Sequence, residues 1–135
     1  MSGTAAVVAA AALAWHAAGN GIPEPLEGRS GDAQRGRALV LARDPANCVL
    51  CHSVPDPDVR FAGDLGPPLA GVGSRLNVAQ LRLRVVDSLS INPSSIMPSY
   101  YRVDGLDRVA TGYRGKPILT AAQVEDVVAW LATLR

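Results

Sequence analysis

Five consecutive residues, Cys48-Val49-Leu50-Cys51-His52, set two thiols three positions apart with an imidazole directly after the second. That spacing is the attachment signature of a c-type haem. Each thiol adds across one vinyl group on the porphyrin edge, and the neighbouring His52 then holds the iron as proximal ligand. Cys48 and Cys51 are the only cysteines in the chain. A zinc site would need a second pair of Cys or His ligands, and only His16 remains. A redox disulfide of the thioredoxin kind would need βαβ surroundings, which the sequence does not offer. The iron has a second axial face, whose candidates can be counted. The methionines are Met1 and Met97, and the other histidine is His16 near the start, so Met97 is the sixth-ligand candidate by elimination. Prolines 93 and 98 stiffen the loop around it. His/Met ligation raises the reduction potential relative to two histidines and leaves no open iron position.

These residues need elements to hold them. Ser30 is expected to cap a first helix over about Asp32 to Ala42, with Ala33, Gly36, Leu39 and Val40 on one face. Gly36 inside a helix costs about 1 kcal/mol relative to Ala, a cost that makes sense where another helix crosses closely. Phe61 to Arg75 reads as loop, and its core is Gly66-Pro67-Pro68-Leu69-Ala70-Gly71. A backbone carbonyl in such a stiff loop suits the acceptor that a proximal imidazole needs for its second N–H. Asn77 with Gln80 resembles a capping box, opening a second helix with Leu81, Val85 and Leu89 as its apolar stripe and Ile91-Asn92-Pro93 as its end. Tyr100, Tyr101 and Arg102 are read either as haem-propionate partners or as a partner surface. Thr120 and Gln123 form a second capping box, followed by Val124, Val127, Val128, Leu131 and Leu134 at helical spacing. Trp130 is expected near Gly36.

The chain of 135 residues implies one domain. Its aromatic content of 4% is low, which fits a core whose large flat apolar body is a porphyrin. A net charge of +1 marks no nucleic-acid binder. Lys116 is the single lysine, which speaks against a broad Lys-rich docking face; arginine suits fixed bidentate pairs. Residues 4–19 form an apolar stretch too short for a stable membrane anchor. They read as the core of a signal peptide spanning residues 1–19, with Ala17-Ala18-Gly19 for cleavage. No Lys or Arg precedes them, the first being Arg29; the alternative is an apolar N-terminal helix kept in the mature protein. Residues 20–29 read as a flexible tail and 30–135 as the domain.

Assembled in this order, the residues from Gly31 to Arg135 resemble a class I cytochrome c. The resemblance implies an all-α fold wrapped around one covalent haem c. It implies thioethers at Cys48 and Cys51, His52 as proximal and Met97 as distal ligand, and Pro67 as the carbonyl acceptor. A narrower resemblance, carried by Asn47 to His52, Gly66 to Gly73, Asn92 to Tyr101 and Leu119 to Leu131, is to the SoxX family, monohaem subunits of the SoxAX complex of thiosulfate-oxidising bacteria. It implies a periplasmic location and a SoxA-like cytochrome partner that carries the catalysis. It also implies transient contact with a SoxYZ-like carrier, whose cysteine receives thiosulfate, and with a downstream electron acceptor. The chain itself is expected to move electrons without catalytic residues of its own. The other reading is a free-standing, diffusible periplasmic electron carrier.

Overall fold

The computed structural model describes residues 13–135. Four α-helices carry the fold: α1 (Ala33–Leu41), α2 (Val72–Arg75), α3 (Val78–Val86) and α4 (Ala121–Thr133). Among the described residues there is no sheet, only an isolated bridge between Ala18 and Gly21. The expected all-α architecture is what the described residues adopt.

Local chemistry starts the helices where the sequence indicates. Asn77 accepts from the Gln80 N–H while the Gln80 side chain accepts from the Asn77 N–H, at 2.9 and 3.0 Å. Thr120 and Gln123 repeat the arrangement ahead of α4. Each box satisfies two of the donors that a helix N-terminus leaves open. The first helix differs from expectation. Its cap is Asp32, which accepts from the Arg35 N–H at 2.8 Å, and not Ser30.

The helix α1 crosses α4 at Gly36, where a side chain would run into the backbone carbonyl of Asp126 and the Trp130 Cβ. The small residue is therefore the condition of the crossing. Val124, Val127, Val128 and Leu131 of α4 are buried against Leu81, Val85 and Val86 of α3. The α4 helix also buries two charges that the hydrophobic pattern does not announce. Asp126 accepts from the Asp32 N–H at 2.7 Å and from the Arg35 guanidinium at 2.9 Å, tying the start of α1 to α4. Glu125 takes a two-pronged pair from the buried Arg82 of α3, at 2.8 and 3.0 Å.

Residues 20–29, expected as a flexible tail, lie against the body instead. Ile22 and Leu26 are each 2% exposed. The Ile22 N–H donates to Ala79 O, its carbonyl accepts from Arg82 at 2.6 Å, and the Leu26 N–H donates to Glu125. Composition misleads here: two apolar side chains suffice because a buried ion pair supplies the backbone's partners. Leu13, Trp15 and Ala17 also pack against the core. The first twelve residues of the expected signal peptide lie outside the described residues.

Candidate functional site

A single tight turn presents the thiols. Asn47 sits in the left-handed region at φ 49, a conformation Asn tolerates better than most residues. It turns the chain into Cys48–Leu50, where the Cys51 and His52 N–H groups both donate back to Cys48 O, at 3.2 and 3.0 Å. The two cysteines form no disulfide with each other. Burial pushes the Cys48 thiol up to about 11.

The ring of His52 is oriented by the loop that follows. Its Nδ1 lies 2.7 Å from Pro67 O. A carbonyl only accepts, so Nδ1 carries the proton and Nε2 keeps its lone pair free for a Lewis acid. The loop is pinned on both sides of Pro67: the Gly66 N–H donates to Cys51 O at 2.8 Å and the Leu69 N–H to Ser53 O at 2.9 Å. Gly66 lies flat against the imidazole, where a side chain would overlap the ring. Arg75 clamps the loop from its far end, donating to Pro68 O and Ala70 O at 2.8 and 2.6 Å. That Arg75 belongs to α2, a turn of helix inside the stretch expected to be all loop.

Met97 comes from a different part of the chain. The Ser88 hydroxyl donates to its carbonyl at 2.5 Å, and its own N–H donates to the Ser95 hydroxyl at 3.1 Å. After Met97 the chain returns to α3: the N–H groups of Tyr100, Tyr101 and Arg102 donate to Val85 O and Val86 O. Tyr100 is buried, and its phenol donates to Ala46 O at 2.8 Å, joining the Met97 loop to the segment before Cys48. Burial also pushes the Tyr100 phenol above its ordinary range. Tyr101 is buried too, and Arg102 pairs with Asp87. The Tyr100 phenol and the Arg102 guanidinium are thus engaged within the protein, and Tyr100 also lines the cavity that Met97 faces.

Cys48, Cys51, His52, Pro67 and Met97 all line one cavity of about 650 Å³. The apolar lining includes Leu69, Leu81, Val85 and Leu131, while Arg75 and Arg84 add positive charge. The residues fit a haem in three respects: a largely apolar space within the range of organic-ligand pockets, two thiols one turn apart, and an imidazole and a thioether as axial donors. Among the described residues no three His, Cys, Asp or Glu side chains group as a metal site of another kind.

Sequence reading missed Asp87. This residue closes α3, four positions before the expected end at Ile91. Its carboxylate is 2% exposed and accepts from the hydroxyls of Ser90 and Ser99 and from Arg102. Burial pushes the Asp87 carboxyl up, but these donors outweigh it and hold it below the usual carboxylate range. The signal was present in principle, as an acid at the end of a helix with serines on both sides of a loop.

The cytochrome c family model matches residues 33–135. A chain of the crystal structure of SoxXA from P. pantotrophus is 39% identical, with a TM-score of 0.78, covering 85% of this chain and 90% of that one. Ferric cytochrome c-550 from Paracoccus versutus is 20% identical, with a TM-score of 0.42, over 78% of this chain and 98% of its own. A search of the curated proteins returns no match.

Proposed function

The chain belongs to the cytochrome c family, on its SoxX branch, and carries a covalently bound c-type haem; from that premise we propose how its residues hold the group and where the electrons go. Cys48 and Cys51 would form the two thioethers, with His52 Nε2 as the proximal ligand and Met97 Sδ as the distal one. The observation that carries this reading is the convergence of all four on one cavity, with His52 Nδ1 held by Pro67 O. When bound, the haem supplies reversible one-electron exchange between ferric and ferrous iron. Pro67 fixes the tautomer that leaves Nε2 free and keeps the imidazole basic. Cys48 and Cys51 prevent loss of the group, and the apolar lining excludes water, which favours the less charged ferrous state. With both axial positions taken by protein, substrate has no route to the metal.

The chain therefore acts as the electron-accepting subunit of a SoxAX-like complex, alongside a SoxA-like cytochrome that performs the chemistry. Joining thiosulfate to a carrier cysteine releases two electrons, so a chain holding one haem would accept them singly and hand them to a downstream acceptor. Contact with a SoxYZ-like carrier is transient and belongs mainly to the partner. Exposed Leu65, Ile91 and Ile96 at the cavity rim support an electron path through an apolar contact. We place the protein in the periplasm, exported by a signal peptide spanning residues 1–19. Cleavage there leaves Ile22 to Leu26 in place. Among the described residues no helix is long and apolar enough to cross a membrane.

Affinity purification of the tagged protein from a thiosulfate-grown periplasm, with haem staining of what co-elutes, tests this reading. A second haem-bearing chain in a stable complex is expected. A stable monomer without such a partner would favour the free-standing carrier.

A further inference from the structure

Asp87 costs the fold energy twice. A buried carboxylate loses its hydration, and an anion at a helix C-terminus faces the negative end of the dipole. Its side chain caps no helix: no backbone N–H of the turn that follows donates to it. It serves the Met97 loop. The chain leaves α3 at Asp87, passes through Met97, and comes back onto Val85 and Val86 at Tyr100 to Arg102. The carboxylate stands between the two limbs. It accepts from Ser90 on the outgoing limb at 2.5 Å, and from Ser99 and Arg102 on the returning limb at 2.8 and 3.1 Å. Ser99 is two residues past Met97, while Ser88, directly after Asp87, holds the Met97 carbonyl. Among the described residues, Asp87 is the side chain that takes bonds from residues on both limbs.

We propose that Asp87 is a positioning residue for the distal ligand, closing the loop so that the Met97 thioether stays on the iron in competition with outside ligands. The proposal rests on Met97 as distal ligand. Replacing the carboxylate by an amide keeps its shape but weakens three charge-assisted bonds. Losing one such bond is enough to shift an opening equilibrium about tenfold.

The experiment uses the mature haem-loaded protein and two readouts: the long-wavelength thioether-to-ferric-iron absorption band, and the affinity of the ferric form for imidazole. Asp87→Asn is expected to weaken the band and to raise imidazole affinity by about tenfold. Ser99→Ala should move both in the same direction by less. Asp126→Asn, which breaks a buried carboxylate pair between α1 and α4, should lower stability and leave both readouts unchanged. A folded Asp87→Asn protein with wild-type imidazole affinity overturns the proposal. Should that variant fail to fold, an unchanged affinity in Ser99→Ala overturns it. If the wild type lacks the band, or Met97→Leu retains it, the distal-ligand reading itself fails and takes the proposal with it.

Discussion

The carbonyl that orients His52 comes from a residue with no N–H of its own, in a loop whose neighbours are bonded on either side. The imidazole therefore meets an acceptor that cannot rotate away, which is a stiffer arrangement than a side-chain acceptor would give. Asp126 does similar work at a different joint. Burial pushes its carboxyl up, but the Arg35 guanidinium and the Asp32 N–H outweigh that and hold it below the ordinary range. A carboxyl with a depressed folded-state pKa stabilises the fold above its unfolded value of about 3.9, and the contribution disappears as pH falls through the folded pKa. Asp126→Asn is thus expected to lower stability at neutral pH and to flatten the acid-side loss. Denaturation midpoints measured from pH 6 downward check it: parallel curves for variant and wild type would contradict the assignment. At this scale the sequence was most legible where one residue type has one use. Cys48, Cys51, His52 and Met97 could be picked out by counting, and Pro67 by resemblance. Asp87, Arg75 and Asp126 could not, because a single Asp or Arg has many ordinary uses and only its partners distinguish them.

Helix starts were legible because capping is a transaction within four residues, as Asn77/Gln80 and Thr120/Gln123 demonstrate. Helix ends were harder. The α3 helix stops at Asp87 because that side chain is engaged with the loop beyond, and no spacing rule within the helix records it. Ser30 lost the cap of α1 to Asp32, since Asp126 on a distant helix takes the Asp32 N–H and settles the chain's entry. Gly36, by contrast, was rightly read as a crossing point. Ala at this position gains about 1 kcal/mol of helix propensity, while its methyl meets the backbone of α4. Forcing the helices apart costs about 1–3 kcal/mol. Gly36→Ala is expected to be destabilising on balance, which chemical denaturation of the haem-loaded protein measures; a gain in stability would show that the crossing is loose.

Over the whole molecule the least legible part was residues 20–29, because docking them depends on Arg82 and Glu125, far along the chain. Their burial is collective: the Ile22 carbonyl and the Leu26 N–H complete the bonding of a pair that is itself only 5% and 4% exposed. Removing one partner from a buried pair is costly, and each buried aliphatic side chain contributes about 1.5–3 kcal/mol. A chain begun at Arg29 is expected to be at least about 3 kcal/mol less stable than one begun at Asn20. Equal denaturation midpoints would mean that the segment only rests on the surface. No residue of this segment lines the haem cavity, so the shorter chain is expected to keep its axial ligands as long as it stays folded.

The crossing of α1 with α4 joins residues near opposite ends of the domain: the Asp32 N–H finds Asp126 across 94 positions and Leu26 finds Glu125 across 99. Contacts of such long range form late, because loop closure must precede their reward. Export of the kind proposed, N-terminus first, would deliver α4 last. Until those final residues arrive, the core has no lid and Cys48 and Cys51 remain on an open strand of polypeptide. A chain so delivered would pass through a waiting period in which both thiols are reachable before the fold encloses them.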